Sequence, residues 1–214
     1  MSITASARQR DPVVAVSTAT PSPRVSLGYW IFRNRTWLPI PLGILLIVLK
    51  PGVLETRVLW VGAACILAGE AIRLWAVRHI GGVSRTRTTK IGPLVMSGPY
   101  AYTRNPLYVG NWLLWSGFAL GSSLRWMVLL SWTVFAVQHV FVVQWEEHLL
   151  AQHYPHAYPR YATIVPRWWP WPRRSHVAPA PKLHPWNEVL FSERGTLAAI
   201  VSVAVLLIAR RLLG

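Results

Sequence analysis

Two adjacent glutamates, Glu146 and Glu147, stand at the end of a long apolar run. The chain holds only 7 acidic residues against 22 lysines and arginines, so two carboxylates side by side are unusual here. Adjacent carboxylates near a membrane boundary repel each other and resist the loss of water, which favours a partner for them. That partner is either an arginine, such as Arg104 or Arg160, or a ligand with an ammonium, a sulfonium or ribose hydroxyl groups. Consecutive helical residues point about 100° apart, so the two carboxylates need not serve one ligand.

The segment from Ser97 to Gly110 is the second place where chemistry could occur, and it reads SGPYAYTRNPLYVG. Gly98-Pro99 predicts a turn, and Pro106 suits the first turn of a helix because its missing N–H group needs no partner there. The free N–H groups of such a helix start can bind an anionic group. Arg104 would add a charge-assisted donor. The alternative is that Arg104 fixes membrane orientation and that the tyrosines anchor the interface.

Other ionisable residues in the apolar runs have simpler explanations. Glu70 and Arg73 lie at positions i and i+3, where pairing within one helix is an economical way to keep charge in a membrane. Lining the active site is the alternative for this pair. His139 is expected to be a satisfied polar residue rather than a metal ligand. His153 and His156 have no cysteine or carboxylate pattern to complete a zinc site, so we predict no metal.

The elements that must position these residues are membrane helices. Hydrophobic residues make up 53% of the chain and charged residues 14%, whereas about a quarter of a soluble domain is charged. The apolar residues form long runs, each close to the roughly 20 residues that cross a bilayer. We predict an all-α integral membrane helical bundle of about five transmembrane helices, over residues 37–54, 58–77, 106–121, 126–145 and 196–213.

Loop charges predict the orientation of this bundle. Loops rich in arginine and lysine alternate with loops that have few, and cytoplasmic loops carry the excess of basic residues. The N-terminus is therefore expected in the cytoplasm of a bacterial cell, and the protein is expected in the cytoplasmic membrane as a multi-pass protein. Both candidate segments then lie on the cytoplasmic side, where they can meet. A net charge of +15 that is spread over membrane loops argues against nucleic-acid binding.

Composition divides the chain into four parts. Residues 1–35 are basic and rich in Ser, Thr, Ala and Pro, and are predicted to be a disordered cytoplasmic tail. Residues 36–170 form the transmembrane core. Residues 171–195 form a Pro- and Trp-rich interfacial linker, and residues 196–214 a C-terminal transmembrane helix. The single cysteine excludes an intramolecular disulfide.

The order and spacing of these motifs resemble a known superfamily. Residues 98–110, the Glu146-Glu147 pair and the tyrosine-rich stretch up to Pro170 together resemble the isoprenylcysteine carboxyl methyltransferase and phospholipid methyltransferase superfamily. The sequence Arg-Leu-Trp-Ala at 73–76 also looks like that family's approach to the loop. The resemblance covers about residues 70–170. The family commonly has His where this chain has Asn105, and Asn cannot act as an acid or base at neutral pH.

The resemblance implies S-adenosylmethionine as cofactor and methyl transfer to a lipid-like or prenylated small molecule at the cytoplasmic face. It implies that Arg167 and Asn105 act as catalytic residues. Carried over residue by residue, it implies a cofactor site of Pro99, Tyr100, Arg104, Asn105, Pro106, Tyr108, Glu146 and Glu147. Such an enzyme acts mainly by aligning its reactants and excluding water.

Two other functions remain open at the level of the sequence. One is a steroid-reductase-like membrane oxidoreductase that uses NADPH, since the C-terminal part of that class has a similar Arg-x-Pro-x-Tyr pattern. The other is a non-catalytic membrane scaffold or transport subunit, whose polar residues should line a path across the bilayer. No pattern indicates the acceptor atom or the oligomeric state.

Overall fold

The computed structural model describes residues 23–35, 37–49, 52–53, 55–82, 92–168 and 182–213. Its helices are α1 (Pro23–Asn34), α2 (Ile40–Val48), α3 (Thr56–Ile80), α4 (Pro106–Gly121), α5 (Arg125–His153), α6 (Ala157–Ile164) and α7 (Trp186–Leu213), with a short 3₁₀ turn over Gly98–Ala101. These ranges contain no β-strand. The all-α prediction is confirmed.

Three of the described helices, α3, α5 and α7, are long and apolar enough to cross a membrane. They have 25, 29 and 28 residues, and at about 1.5 Å per residue each exceeds the roughly 30 Å of hydrocarbon. Helix α4 has 16 residues and α2 has 9. The count of five spans is therefore not confirmed, and it stays a prediction together with the orientation of the N-terminus.

The outward faces of the three long helices are apolar. Leu67 of α3, Leu129 of α5 and Val201 of α7 are each more than 60% exposed. A soluble protein rarely exposes an apolar surface that extends along several helices. Lipid is the solvent that suits these faces, and the chain is a membrane protein.

The first predicted span, residues 37–54, is not a single helix. Helix α2 occupies only Ile40–Val48 of it, which is less than half the length needed to cross a bilayer. The helix ends just before Lys50-Pro51-Gly52, where a proline has no N–H group for the helical hydrogen bond. Lys50, Pro51 and Leu54 lie outside the described residues.

Two predicted boundaries also differ from the structure. The tail predicted over residues 1–35 contains α1, whose buried Ile31 and Phe32 pack against Val142 and Trp145 of α5. Residues 1–22 of that tail lie outside the described part of the chain. The linker predicted over 171–195 is shorter, because α7 begins at Trp186 rather than at Thr196. Apolar burial of one helix face, which composition does not reveal, accounts for α1.

Helices α3 and α4 are antiparallel and approach closely at two pairs of glycines. Gly62 faces Gly117, and Gly69 faces Gly110. A Cβ atom added at Gly110 would lie 2.7 Å from the carbonyl oxygen of Gly69. Small residues permit such backbone approach in membranes, where van der Waals packing rather than the hydrophobic effect holds helices together. This contact places the N-terminal end of α4 against α3.

We expect Gly110→Val to lower the free energy of unfolding by about 1–3 kcal/mol, because the new side chain must displace helix backbone. Denaturant titration of the detergent-solubilised protein, followed by circular dichroism, measures the change. Gly82→Ala is the control, since a Cβ atom at Gly82 meets nothing within 4 Å. Equal stability of the Gly110→Val variant and the wild type would contradict the close approach.

A buried polar cluster joins α3, α4 and α7. Arg73 is 8% exposed, and its Nη2 donates to the Glu193 carboxylate at 2.7 Å and to the Thr196 hydroxyl at 3.2 Å. Its Nη1 donates to the side-chain oxygen of Asn111. Glu70 lies 3.5 Å from Nε of Arg73, so the predicted pair within α3 is confirmed. The shorter ion pair, however, comes from α7.

The other end of α7 holds the ends of two shorter helices. Arg210 donates to the carbonyl oxygens of Leu46 and Leu49 at 2.5 and 2.8 Å. Arg211 donates to the carbonyl oxygen of Gly121 at 3.0 Å. The last carbonyl groups of a helix lack partners within it and interact favourably with cations. Helix α7 is therefore fastened to the bundle at both ends.

Candidate functional site

The segment before α4 is a tight turn. Gly98 has a φ angle of 60°, a backbone conformation that favours glycine, and a side chain there would collide with the His79 ring. Asn105 stands at the N-cap of α4 and Pro106 in its first turn. The predicted helix start at Pro106 is confirmed. Pro99 and Pro106 are buried and shape the backbone of this segment.

Glu147 is the centre of an ion-pair network. Nη1 of Arg104 lies 2.9 Å from one carboxylate oxygen, and Arg167 donates to both oxygens at 2.9 and 2.6 Å. Two-point contact between a guanidinium and a carboxylate is both strong and directional. Arg104 also donates to the Tyr158 hydroxyl at 3.2 Å. Burial, together with the charge of Glu147, raises the pKa of Tyr158 to about 12.

Glu146 has a different partner from its neighbour. The Tyr108 hydroxyl of α4 donates to a Glu146 carboxylate oxygen at 2.9 Å. The two glutamate side chains point in different directions because consecutive residues of a helix are about 100° apart. Of the two arginines that the sequence offered as partners, Arg104 pairs with Glu147. The two glutamates thus connect α5 to both the start of α4 and the turn before it.

The two residues predicted as catalytic are joined by a hydrogen bond. The side-chain amide of Asn105 donates to the carbonyl oxygen of Arg167 at 2.9 Å. The Thr103 hydroxyl lies 3.1 Å from the carbonyl oxygens of both Arg167 and Trp168. Arg167 itself keeps its guanidinium on Glu147, and that hydrogen bond raises its pKa. The segment before α4 therefore fixes the backbone that follows α6.

Three buried polar atoms in this segment have no hydrogen-bond partner among the described residues: Oγ of Ser97, the hydroxyl of Tyr100 and Nε of Arg104. Tyr100 is only 7% exposed. Burial raises the pKa of its hydroxyl; the nearby charge of Glu146 raises it further, whereas that of Arg73 lowers it. Buried polar groups normally have partners. These atoms therefore have a hydrogen-bonding capacity that no described residue uses.

Aromatic rings that are not among the predicted site residues lie beside Tyr108. The ring centroid of His139 is 4.4 Å from that of Tyr108, and Trp112 and Trp168 lie 6.5 and 6.3 Å from His139. We call Trp112, His139 and Trp168 the aromatic cluster. A sequence signal was available, because Tyr108 and Trp112 are at i and i+4, and His139 and Glu146 at i and i+7, on common helix faces.

A groove of about 590 Å³ lies near this site and is lined by Tyr29, Arg33, Asn34 and Trp37. One of the lining residues, Tyr29, has its ring 5.5 Å from the ring of Trp145, which precedes Glu146 on α5. Two aromatic rings, a guanidinium and an amide give the groove both apolar and polar walls.

Comparison with known proteins identifies a family and two relatives. The phospholipid methyltransferase family matches residues 58–157. The nickel-cobalt-cadmium resistance protein NccN of Alcaligenes xylosoxydans xylosoxydans is 30% identical over 161 residues, which cover 71% of this chain and 70% of that protein. The cobalt-zinc-cadmium resistance protein CzcN of Cupriavidus metallidurans is 35% identical over 99 residues, 46% of this chain and 42% of that protein. No solved structure matches.

The region that matches the family contains every predicted site residue except Arg167. It includes α4, the turn before it and the end of α5, where Arg104, Tyr108, Glu146 and Glu147 meet. The match with NccN extends over more than two thirds of both chains. The chain therefore belongs to the phospholipid methyltransferase family of membrane methyltransferases.

Proposed function

We propose that the protein transfers a methyl group from S-adenosylmethionine to a lipid-like or prenylated acceptor at the cytoplasmic face of the membrane. The observation that carries this proposal is the convergence of the turn before α4 with Glu146 and Glu147. Arg104 and Tyr108 are the two contacts that bring these parts together. At the same place, Ser97, Tyr100 and Arg104 each have a polar side-chain atom without a hydrogen-bond partner among the described residues. A bound ligand could be the partner of these atoms.

The donor set fits this cofactor. The hydroxyls of Ser97 and Tyr100 and Nε of Arg104 are donors that suit a carboxylate, and the carboxylates of Glu146 and Glu147 are acceptors that suit ribose hydroxyls or an ammonium group. When bound, S-adenosylmethionine supplies an activated methyl group on a sulfonium. The protein then has to bind and orient the two reactants and to exclude water. Holding reactants in the right geometry can by itself lower the reaction barrier substantially.

We assign Arg167 to the acceptor side of the site and Asn105 to positioning it. The Arg167 side chain is 42% exposed, so it can meet an acceptor while its backbone is held by Asn105. Asn105 cannot exchange a proton at neutral pH. Its side-chain amide can donate a hydrogen bond to a main-chain carbonyl oxygen without any proton transfer. Asn is therefore suited to the position where the family commonly has His.

A lipid-like acceptor is favoured by the surroundings of the site. The groove lined by α1 and Trp37 includes Tyr29, whose ring lies 5.5 Å from that of Trp145, one residue before Glu146. The exposed faces of the long helices are apolar, so an acceptor with an apolar tail can reach the groove from within the bilayer. The polar head would then lie at the level of the glutamates.

Equilibrium binding to the purified protein in detergent tests the proposal. We expect S-adenosylmethionine to bind and NADPH not to bind. Membranes that contain the protein should incorporate labelled methyl groups into a lipid fraction, with the mass increment of one methylene. Binding of NADPH alone would support an oxidoreductase instead. Binding of neither cofactor would support a scaffold or transport subunit.

The two relatives are named as resistance proteins for divalent metals, and we propose that methyl transfer by this chain contributes to metal tolerance. Cells that lack the protein should grow less well in cadmium or cobalt. The wild-type gene should restore growth, and a Glu147→Gln variant should not. Restoration by a variant without methyl transfer would separate metal tolerance from the enzymatic activity.

A further inference from the structure

Helix α1 has two faces with different surroundings. On one face, Ile31 and Phe32 are buried against α5, and the Phe32 ring lies 4.4 Å from the Trp145 ring. On the other face, the side chains of Tyr29 and Arg33 are exposed. Packing on α5 therefore accounts for the apolar face of α1, and the polar face is open to the surroundings of the protein.

The groove of about 590 Å³ lies on this exposed face. Tyr29 and Arg33 are at positions i and i+4, which share one face of a helix. The chain keeps a helical winding just beyond α1, because the backbone N–H group of Trp37 donates to the carbonyl oxygen of Asn34 at 2.9 Å. Trp37 thus follows Arg33 by one further turn. Local geometry of the chain brings the lining residues together.

Every side chain that lines the groove has an N–H or O–H group, and none of the four lining residues is acidic. The hydroxyl of Tyr29, the guanidinium of Arg33, the amide of Asn34 and the indole of Trp37 are all hydrogen-bond donors. Asn34 donates one amide hydrogen to the carbonyl oxygen of Trp30 at 2.9 Å, and its second amide hydrogen remains. Donors gathered around one space favour an oxyanion.

The charge of Arg33 is not compensated by a carboxylate of the described residues. In those residues the ion pairs of arginine are formed elsewhere, by Arg73, Arg104, Arg125 and Arg167. A guanidinium presents a planar fork of N–H donors that matches the oxygens of a phosphate. The groove is therefore positively charged and has the donor geometry for a phosphate.

The groove lies at the depth of lipid head groups. At about 1.5 Å per residue, Trp145 lies about 30 Å along α5 from Arg125, the first residue of that helix. This distance matches the thickness of the hydrocarbon core of a bilayer. The Tyr29 ring is 5.5 Å from the Trp145 ring and so lies at the boundary of that core. Trp37, which is 64% exposed, is of the residue type enriched there.

We propose that this groove binds the phosphate of an anionic membrane lipid. The Arg33 guanidinium pairs with the phosphate, and the Tyr29 hydroxyl and the Trp37 indole donate to its oxygens. The positive charge of the groove favours a lipid with net negative charge over a zwitterionic lipid, whose ammonium group it repels. The lipid is recognised by its phosphate and does not have to be the methyl acceptor. The inference therefore goes beyond the proposed function and does not depend on it.

A lipid bound in this way also holds α1 in place. Isolated helices shorter than about 12–15 residues are marginal in water, and α1 has 12 residues. A phosphate between Tyr29 and Trp37 joins the helix to the turn that follows it. We expect hydrogen exchange of the α1 amides to be slower in phosphatidylglycerol nanodiscs than in phosphatidylcholine nanodiscs, and Arg33→Gln to abolish the difference.

Native mass spectrometry of the purified protein with phosphatidylglycerol or phosphatidylcholine tests the inference directly. We expect the wild type to retain phosphatidylglycerol in preference to phosphatidylcholine. Arg33→Gln should weaken phosphatidylglycerol binding about 10- to 100-fold, the effect of one hydrogen bond to a charged group. Arg160→Gln is the matched control, because it removes the same charge from an exposed residue of α6 outside the groove.

Any of three results would overturn the inference. Equal retention of the two lipids by the wild type would exclude recognition of the lipid charge. Equal losses in Arg33→Gln and Arg160→Gln would show that the general field of the basic protein attracts the lipid. Displacement of the lipid by an equal concentration of inorganic phosphate would assign the groove to free oxyanions. Should Arg33→Gln fail to fold, Trp37→Phe removes only the indole N–H group and should weaken phosphatidylglycerol binding about two- to tenfold.

Discussion

Glu193→Leu should lower the free energy of unfolding by about 3–5 kcal/mol, the usual cost of removing one partner from a buried ion pair. Glu193 is 1% exposed and lies 2.7 Å from Nη2 of Arg73. Without it, the nearest described carboxylate to the guanidinium is Glu70, 3.5 Å from Nε. The Arg73 charge would then be buried with much weaker compensation, and α7 would lose its strongest polar contact with α3.

Denaturant titration of the detergent-solubilised protein measures this effect. Glu188→Gln is the matched control, because Glu188 is on the same helix but has a side chain 61% exposed in its pair with His184. That change should stay within about 0.5 kcal/mol. Arg73→Met combined with Glu193→Leu and Glu70→Gln should recover part of the loss, since the cluster then holds no buried charge without a partner. A Glu193→Leu variant as stable as the control would refute the buried pair.

Glu147→Gln should weaken S-adenosylmethionine binding about 30-fold, or about 2 kcal/mol, which is the size of one hydrogen bond to a charged group. Its carboxylate accepts hydrogen bonds from Arg167 at 2.9 and 2.6 Å and lies 2.9 Å from Nη1 of Arg104. An amide cannot compensate two guanidinium groups, so both arginines should reorient and the turn before α4 should loosen.

Equilibrium binding to purified protein measures the change, and rates of methyl transfer should fall at least as far. Glu55→Gln is the control, because Glu55 pairs with Arg125 where both side chains are more than half exposed. Unchanged affinity in Glu147→Gln would show that the ion-pair network only stabilises the fold. In that event, loss of activity in the same variant could not be assigned to the cofactor site.

Much of this protein is determined locally along the chain. Long apolar runs predict the helices α3, α5 and α7 because a bilayer requires hydrogen-bonded, apolar segments of that length. The proline at position 106 predicts the start of α4, and the spacing of Glu70 and Arg73 predicts their pair within one helix. The motif around Arg104 and the two glutamates identifies the family for the same reason, since short-range order and spacing carry it.

The sequence predicted that Arg104 could pair with the two glutamates, but only the tertiary structure decided which other distant residues meet. The Arg73–Glu193 pair, the bond between Asn105 and the Arg167 carbonyl, and the aromatic cluster join residues between 27 and 120 positions apart. Composition also failed to predict α1, a short helix whose buried residues pack against α5. Hydropathy predicts whether a residue faces lipid or water, and spacing predicts the helix face on which it lies. They do not report which helix lies opposite that face, because packing of the whole bundle sets it.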